Sequence, residues 1–203
     1  MPDYRFERFL TDQGCKAVAG TDEAGRGPLA GPVVAAAVVL PIDINIEGLN
    51  DSKKLSITKR DGLFDAVMAN ALAVSVASIS AETIDQSDIR KASLEAMRRC
   101  VATLSISADA LLVDGRDIPP GLPAHVQAHP LVKGDGRSMS IAAAAIIAKV
   151  TRDRMMAQLG SEQPGYLLES HMGYGSAHHR AKIAEKGGIE RVHRYSFRPL
   201  KQD

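Results

Sequence analysis

The chain is short of the residue types that mark secreted, disulfide-stabilised or membrane proteins. It has 203 residues, of which only 4% are aromatic, with no tryptophan and two cysteines. Cys15 and Cys100 are too isolated for a disulfide framework or a zinc site, which indicates a reduced, cytoplasmic protein. The N-terminus has no apolar signal core, and the apolar run 33–40 is too short to cross a bilayer. No membrane partner is therefore expected.

A strong net charge is also missing. The balance of 25 basic and 24 acidic residues leaves a formal charge of +1, so a nucleic-acid partner would need a local basic face. The basic residues between Arg180 and Lys201, Arg194 among them, form either that face or a solvated tail. His178 and His179 open a basic helix in the same region, where they meet phosphate or are simply solvated. A Gly-Lys-Ser/Thr loop is lacking as well, which argues against a nucleotide-binding ATPase.

Hydrophobic spacing predicts strands and helices in a mixed order. The 45% hydrophobic content and the chain length suit one core. A glycine- and proline-rich loop joins the first two strands as a hairpin, and later strands alternate with helices, which favours a mixed α/β sheet of about five strands flanked by helices. Pro130 places the last strand at an edge. The predicted strands are 17–21, 33–40, 71–79, 110–113 and 125–132, and the predicted helices are 56–70, 87–104, 138–159 and 176–186. The helix 56–70 is predicted to bury an apolar stripe of four residues, Leu63, Phe64, Val67 and Met68.

The most informative segment begins where the first strand ends. Asp22 and Glu23 supply hard oxygen ligands of the kind that Mg²⁺ or Mn²⁺ prefers. Gly25 and Gly27 let the backbone approach a ligand closely, and Arg26 between them indicates that the ligand carries phosphate. Metal, close backbone and arginine together point to phosphodiester chemistry.

Two further acids follow apolar segments. Asp114 ends the fourth strand and Asp135 precedes the small-residue helix, so both are expected at the same rim of the sheet as Asp22 and Glu23. Four acids there would repel one another unless cations bind between them, as in a two-metal site. The alternative for Asp114 and Asp135 is that an acid beside glycine is a turn residue.

Eight segments in this order resemble ribonuclease HII, the type two ribonucleases H. The match covers nearly the whole chain from residue 20 to about 199. The segments are GTDEAGRGPLAGP (20–32), LNDSKKLS (49–56), VDG (113–115), KGD (133–135), SIAAA (140–144), AKVTRD (148–153), GYG (173–175) and SFRP (196–199).

The resemblance implies an RNase H-like catalytic domain over 1–160 and a C-terminal helical extension over 161–203, packed on the same domain. It implies an endonuclease that cleaves the RNA strand of RNA–DNA hybrids; a monomer is the default expectation. It also implies incision 5′ of single ribonucleotides in duplex DNA, leaving 3′-hydroxyl and 5′-phosphate ends. Asp22, Glu23, Asp114 and Asp135 would be the catalytic metal ligands for Mg²⁺ or Mn²⁺.

The resemblance also implies substrate contacts. The Gly25-Arg26-Gly27 backbone would read the ribonucleotide 2′-hydroxyl, and Tyr174 would pack on the sugar of the following deoxynucleotide. The 2′-hydroxyl distinguishes RNA from DNA at a given position, so backbone groups that bind it would recognise a ribonucleotide irrespective of its base. Lys53 lies in a predicted polar turn that would direct its side chain towards a phosphate. The alternative is that this turn is simply solvated.

Two other functions stay open. A different nuclease of the same superfamily would cut all-DNA duplexes or four-way junctions. A non-catalytic module whose acids hold a structural ion would bind hybrids in a salt-dependent manner without turnover.

Overall fold

The fold is a five-stranded mixed sheet with helices on both faces, and the computed structural model describes residues 1–49 and 55–201. The strand order across the sheet is β3-β2-β1-β4-β5. This architecture confirms the predicted α/β class. The strands are β1 (Val18–Ala24), β2 (Val33–Val39), β3 (Ala73–Ile79), β4 (Ala110–Asp114) and β5 (Gln127–Leu131). The helices are α1 (Arg5–Asp12), α2 (Ile57–Asn70), α3 (Ala81–Gln86), α4 (Ile89–Ala102), α5 (Met139–Glu162), α6 (Leu168–His171) and α7 (Ala177–Lys186).

Strand directions follow from the connections. β1 pairs antiparallel with β2 through the predicted hairpin, and β2 pairs antiparallel with β3. On its other side β1 pairs parallel with β4, and β4 pairs parallel with β5. Pro130 lies in β5 at the sheet edge, as predicted, where its missing N–H costs no internal ladder bond.

Strand β2, which lies between β3 and β1, is buried along its whole length, which explains its all-Val and Ala sequence. Alternate side chains enter two cores, because successive strand residues face opposite sides of the sheet. Ala35 and Ala37 join the core under α4, whereas Ala36 and Val38 join the core under α5 and α2. The sheet is thus a middle layer between helices.

Helix α5 lies unusually close to the sheet at its N-terminus. A Cβ added to Gly20 in β1 would fall 2.2 Å from the Ser140 carbonyl carbon. Only glycine allows this approach, and it brings the turn before α5 towards the end of β1. The run of alanines in α5 keeps the contact close over the next turn.

The segment after α5 packs around the loop between β1 and β2. Leu29 of that loop shares a buried cluster with Met156 of α5 and with Leu168 and Ile183 of α6 and α7.

No helix within the described residues is both long and apolar enough to span a bilayer. Met68, predicted on the apolar stripe of α2, is instead 51% exposed because the stripe narrows to Leu63 and Val67.

Candidate active site

Parallel pairing of β1 with β4 brings the first and third predicted acids together. Thr21 is in register with Val113, so the next residues, Asp22 within β1 and Asp114 at the end of β4, lie side by side. The Gly134 amide donates to Asp114 Oδ1 at 2.6 Å, which holds the turn carrying Asp135 against β4. The structure therefore gathers acids from three separate segments at one rim of the sheet.

The electrostatics of this acidic site show how strongly the carboxylates interact. Burial raises the pKa of Asp22 well above its usual range, and the negative charges of Glu23, Asp114 and Asp135 raise it further. Burial also raises the pKa of Glu23, although Arg26 opposes that shift through an ion pair of 3.2 Å. The other three predicted acids thus all act on the carboxyl group of Asp22. A cation between them would relieve a repulsion that the fold itself creates.

The four carboxylates do not form a compact group of metal ligands in this structure. Within residues 1–49 and 55–201, no three His, Cys, Asp or Glu side chains form a ready metal-binding group. Asp22 Oδ1 accepts from the Glu23 amide at 2.7 Å, while Asp114 and Glu23 have the partners described above. The donor set nevertheless fits Mg²⁺ or Mn²⁺, because it consists of carboxylate oxygens, the hard ligands that these cations prefer.

The glycine loop next to these acids has a conformation that only glycine permits. Gly25 has φ of +97°, and a Cβ there would fall 2.0 Å from Arg152 Nε. Both the left-handed backbone and the guanidinium beneath it exclude a larger residue. The loop is therefore shaped by what lies under it, and not by local turn chemistry alone.

Two buried arginines hold the loop from below. Arg194 donates to the carbonyl oxygens of Gly25, Arg26 and Gly31 at 2.6 to 3.0 Å. Arg152 donates to the carbonyls of Ala30, Pro32 and Met172 at 2.9 to 3.0 Å. Within the described chain neither guanidinium pairs with a carboxylate. Burial and the neighbouring Arg152 charge lower the pKa of Arg194 to about 9, which leaves it charged at neutral pH.

The prediction for Arg194 was wrong in both of its forms. This residue is fully buried and belongs neither to a basic surface nor to a solvated tail. Its sequence neighbours gave no hint, because its partners lie about 165 positions earlier in the chain. Sequence reasoning had likewise given Arg152 no role. The one available signal for a role of this region was a neighbouring family motif, Ser196-Phe197-Arg198-Pro199.

Tyr174 lies beside the glycine loop. A Cβ on Gly27 would be 3.7 Å from Tyr174 Cε1, and the Leu29 amide donates to the Gly173 carbonyl at 2.8 Å. The ring is 48% exposed and the Arg26 side chain 53%, so both are accessible to a ligand. The structure thus brings together every predicted site residue that it describes. Lys53 lies outside the described residues.

The chain also matches known proteins over nearly its full length. The family model described as "Ribonuclease HII" matches residues 19–199. The chain belongs to the ribonuclease HII family. Its members are endonucleases that hydrolyse phosphodiester bonds, with RNA in RNA–DNA hybrids as their substrate.

Relatives in this family share more than half of the sequence. Ribonuclease HII from Bartonella bacilliformis is 58% identical over 99% of this chain and 90% of its own length. The Brucella anthropi ribonuclease HII is 56% identical over 98% and 90%.

Solved structures confirm the RNase H-like fold. Ribonuclease H2 from Pyrococcus horikoshii has a TM-score of 0.77 at 27% identity, covering 91% of this chain and 95% of that one. The ribonuclease HII from Archaeoglobus fulgidus, solved in complex with PCNA, scores 0.70 at 27% identity over 92% and 97%. Bst-RNase HIII, solved with Mn²⁺, scores 0.69 at 19% identity over 91% and 68%, and so shares the fold.

Proposed function

We propose that this ribonuclease HII incises DNA duplexes 5′ of single embedded ribonucleotides as well as cleaving longer hybrids, in a reaction that depends on Mg²⁺ or Mn²⁺. The products are 3′-hydroxyl and 5′-phosphate ends. The observation that carries this proposal is the position of the four acids beside Gly27 and Tyr174. One phosphodiester can then lie on the acids while its sugars lie on the loop and the ring.

Asp22, Glu23, Asp114 and Asp135 are the residues that would hold the metal. Metal ions held by these carboxylates would activate a water and stabilise the departing oxygen. The chain's own contribution is to place the carboxylates. The β1–β4 register sets Asp22 next to Asp114, and the Gly134 amide keeps Asp114 oriented. The ion pair with Arg26 limits the freedom of Glu23.

Substrate reading follows from the hydrogen bonds of the loop. Arg194 already donates to the carbonyls of Gly25 and Arg26, so those oxygens face inwards. Among the described residues, the amides of Arg26 and Gly27 donate to no other group. These amides are the donors available for a 2′-hydroxyl or a phosphate oxygen. A Tyr174 ring placed under the next sugar would exclude a second 2′-hydroxyl by its bulk.

The proposal extends to the regions that frame the site. Residues 1–160 would form the catalytic domain, and 161–203 a helical extension that supports the loop through Arg194 and Tyr174. Lys53 would contact a phosphate of the duplex. The enzyme would act as a monomer in the cytoplasm.

A cleavage assay tests the proposal directly. The substrates are a labelled DNA duplex with one ribonucleotide, a long RNA–DNA hybrid, an all-DNA duplex and a four-way junction, each with and without Mg²⁺ or Mn²⁺. We expect metal-dependent incision 5′ of the ribonucleotide and no cleavage of all-DNA substrates. Asp22→Asn should lower the rate by about 100-fold or more, because it removes charge at the reacting centre. Asp12→Asn, an exposed acid on α1, is the matched control.

Each other outcome points to a different function. Cleavage of long hybrids alone would remove the junction-reading roles of the loop and Tyr174. Cleavage of all-DNA duplexes or junctions would indicate a different nuclease specificity. Tight binding without turnover in either metal would indicate a binding module.

A further inference from the structure

Three histidines lie directly behind Tyr174. His179 and His193 are buried, with 0% and 1% of their surface exposed, and His171 is half-buried. The rings of His171 and His179 stack with centroids 4.4 Å apart, and His179 Nε2 lies 2.9 Å from His193 Nε2. The expectation that His179 meets phosphate or solvent is therefore wrong. It faces inwards from α7, whereas its neighbour His178 is exposed.

The hydrogen bonds determine which nitrogen of each ring carries the proton. The Ile189 amide donates to His193 Nδ1 at 2.9 Å, so the proton of neutral His193 must be on Nε2. His193 Nε2 then donates to His179 Nε2, which leaves the proton of His179 on Nδ1. Burial lowers the pKa of His193 to about 4, and burial likewise lowers the pKa of His179, so both rings are neutral at physiological pH.

The chain of donors ends on the substrate-reading segment. His179 Nδ1 is 2.9 Å from the Tyr174 carbonyl oxygen and donates to it. His171 supports the same segment, because its Nδ1 accepts from the Gly173 amide at 3.2 Å. Its Nε2 therefore carries the proton and donates to the Tyr166 carbonyl at 2.8 Å. Every polar ring atom of the three histidines is thus used.

We propose that His193 and His179 form a one-directional hydrogen-bond relay that positions Tyr174 against Gly27, and so contributes to recognition of the RNA-to-DNA junction. An apolar side chain could fill the same volume, yet it could not donate to the Tyr174 carbonyl. The hydrogen bond therefore fixes the position of the Tyr174 backbone, which packing alone would not do. The two histidines are positioning residues, since both are buried and act through the backbone carbonyl of Tyr174. This inference rests on the proposed junction-reading function.

Substitutions at His179 separate positioning from packing. His179→Leu keeps the volume but removes the donor to Tyr174, so the ratio of single-ribonucleotide to long-hybrid cleavage should fall about tenfold or more. His179→Asn restores a donor at the Nδ1 position and should return the ratio to within about threefold of the parent protein. His178→Leu, on the exposed neighbour, should leave it unchanged. Assays are run well below the melting temperature of each variant.

The opposite results would overturn the relay. A folded His179→Leu protein with an unaltered ratio would show that the histidine only packs, as would equal damage from the Asn variant. Nitrogen-15 NMR of the unmodified protein tests the relay without relying on any variant's folding. We expect His179 protonated on Nδ1 and His193 on Nε2, and the reverse tautomers would refute the proposal. Failure of the proposed function is seen separately, as a parent protein that does not incise at ribonucleotides.

Discussion

Gly25 illustrates how, at the scale of single residues, a site can depend on what lies beneath it. Its backbone is left-handed, and its missing side chain leaves room for the Arg152 guanidinium, which in turn donates to the carbonyl of Pro32. A glycine in a loop is commonly explained by its freedom to turn. At this position glycine is required for two reasons, the left-handed backbone conformation and the lack of space for a side chain.

Gly25→Ala should therefore be damaging. The left-handed backbone alone costs a non-glycine residue about 1–3 kcal/mol, and the methyl group would also displace Arg152. We expect a loss of unfolding free energy of at least that size, measured by urea denaturation, together with lost cleavage. Gly48→Ala is the control, since its φ is +83° but no atom of the described residues lies within 4 Å of the added Cβ. Equal costs at the two positions would show that backbone strain alone matters.

Asp22 should behave in the opposite way, because its charge is unfavourable to the metal-free fold. Burial and the neighbouring acids raise its pKa, so the ionised form weakens the native state at neutral pH. In EDTA, Asp22→Asn should unfold with equal or greater free energy, by up to about 1 kcal/mol, despite being inactive. Added Mg²⁺ should stabilise the parent protein and not the variant. A clear loss of stability in EDTA would instead assign Asp22 a structural role.

At the scale of elements, the start of α5 is held by a carboxylate from α1. Glu7 is 2% exposed, and its Oε1 accepts from Ser138 Oγ at 2.6 Å and from the Ser140 amide and hydroxyl at 3.0 and 2.6 Å. A negative charge at a helix N-terminus is also favoured by the helix dipole. The α1 helix, which hydrophobic spacing did not predict, thus anchors the helix that begins just after Asp135.

Glu7→Ala tests this anchor. Removing the carboxylate leaves donors of α5 unpaired in a buried place, which should cost about 2–3 kcal/mol of unfolding free energy. Asp12→Ala removes an exposed acid from the same helix and should change stability by less than about 0.5 kcal/mol. Chemical denaturation of both variants provides the comparison. Similar stability for Glu7→Ala and the parent protein would contradict the anchor.

At the scale of the whole molecule, the buried histidines should make the fold sensitive to acid. The pKa of His193 falls from its ordinary 6.5 to about 4 on folding, so the unfolded chain binds the proton more readily. Stability from this group is complete above the unfolded pKa and is lost as the pH falls from about 6.5 towards 4. His179, whose pKa is also lowered, acts in the same direction.

Urea denaturation across this pH window gives the measurement. The unfolding free energy should fall by about 2–3 kcal/mol between pH 7 and pH 4.5, beyond the contribution of carboxylates. His193→Gln should flatten the slope between pH 6.5 and 5, where carboxylates titrate least, and His178→Gln should not. An unchanged slope in His193→Gln would mean that the buried ring does not control acid stability.

Much of the architecture was predictable from local patterns. The Val and Ala run of β2 required burial on both faces, Pro130 required an edge, and the helix 176–186 lies within one residue of α7. The missed helices α1, α3 and α6 have only 8, 6 and 4 residues, which is shorter than the window over which a helical period can be recognised. The local pattern of α2 wrongly included Met68, because periodicity does not reveal how wide the partner surface is.

The sequence by itself determined the strands, the acids at or near their ends and the glycine loop, because each depends on neighbours a few positions away. Only the tertiary structure decided that Asp22 meets Asp114, that Arg194 lies under the loop and that His179 faces His193. Those contacts depend on strand register and on partners far apart in the chain. Burying a charged or polar side chain costs free energy unless such partners are present, and a local sequence pattern does not show which distant residues will be partners.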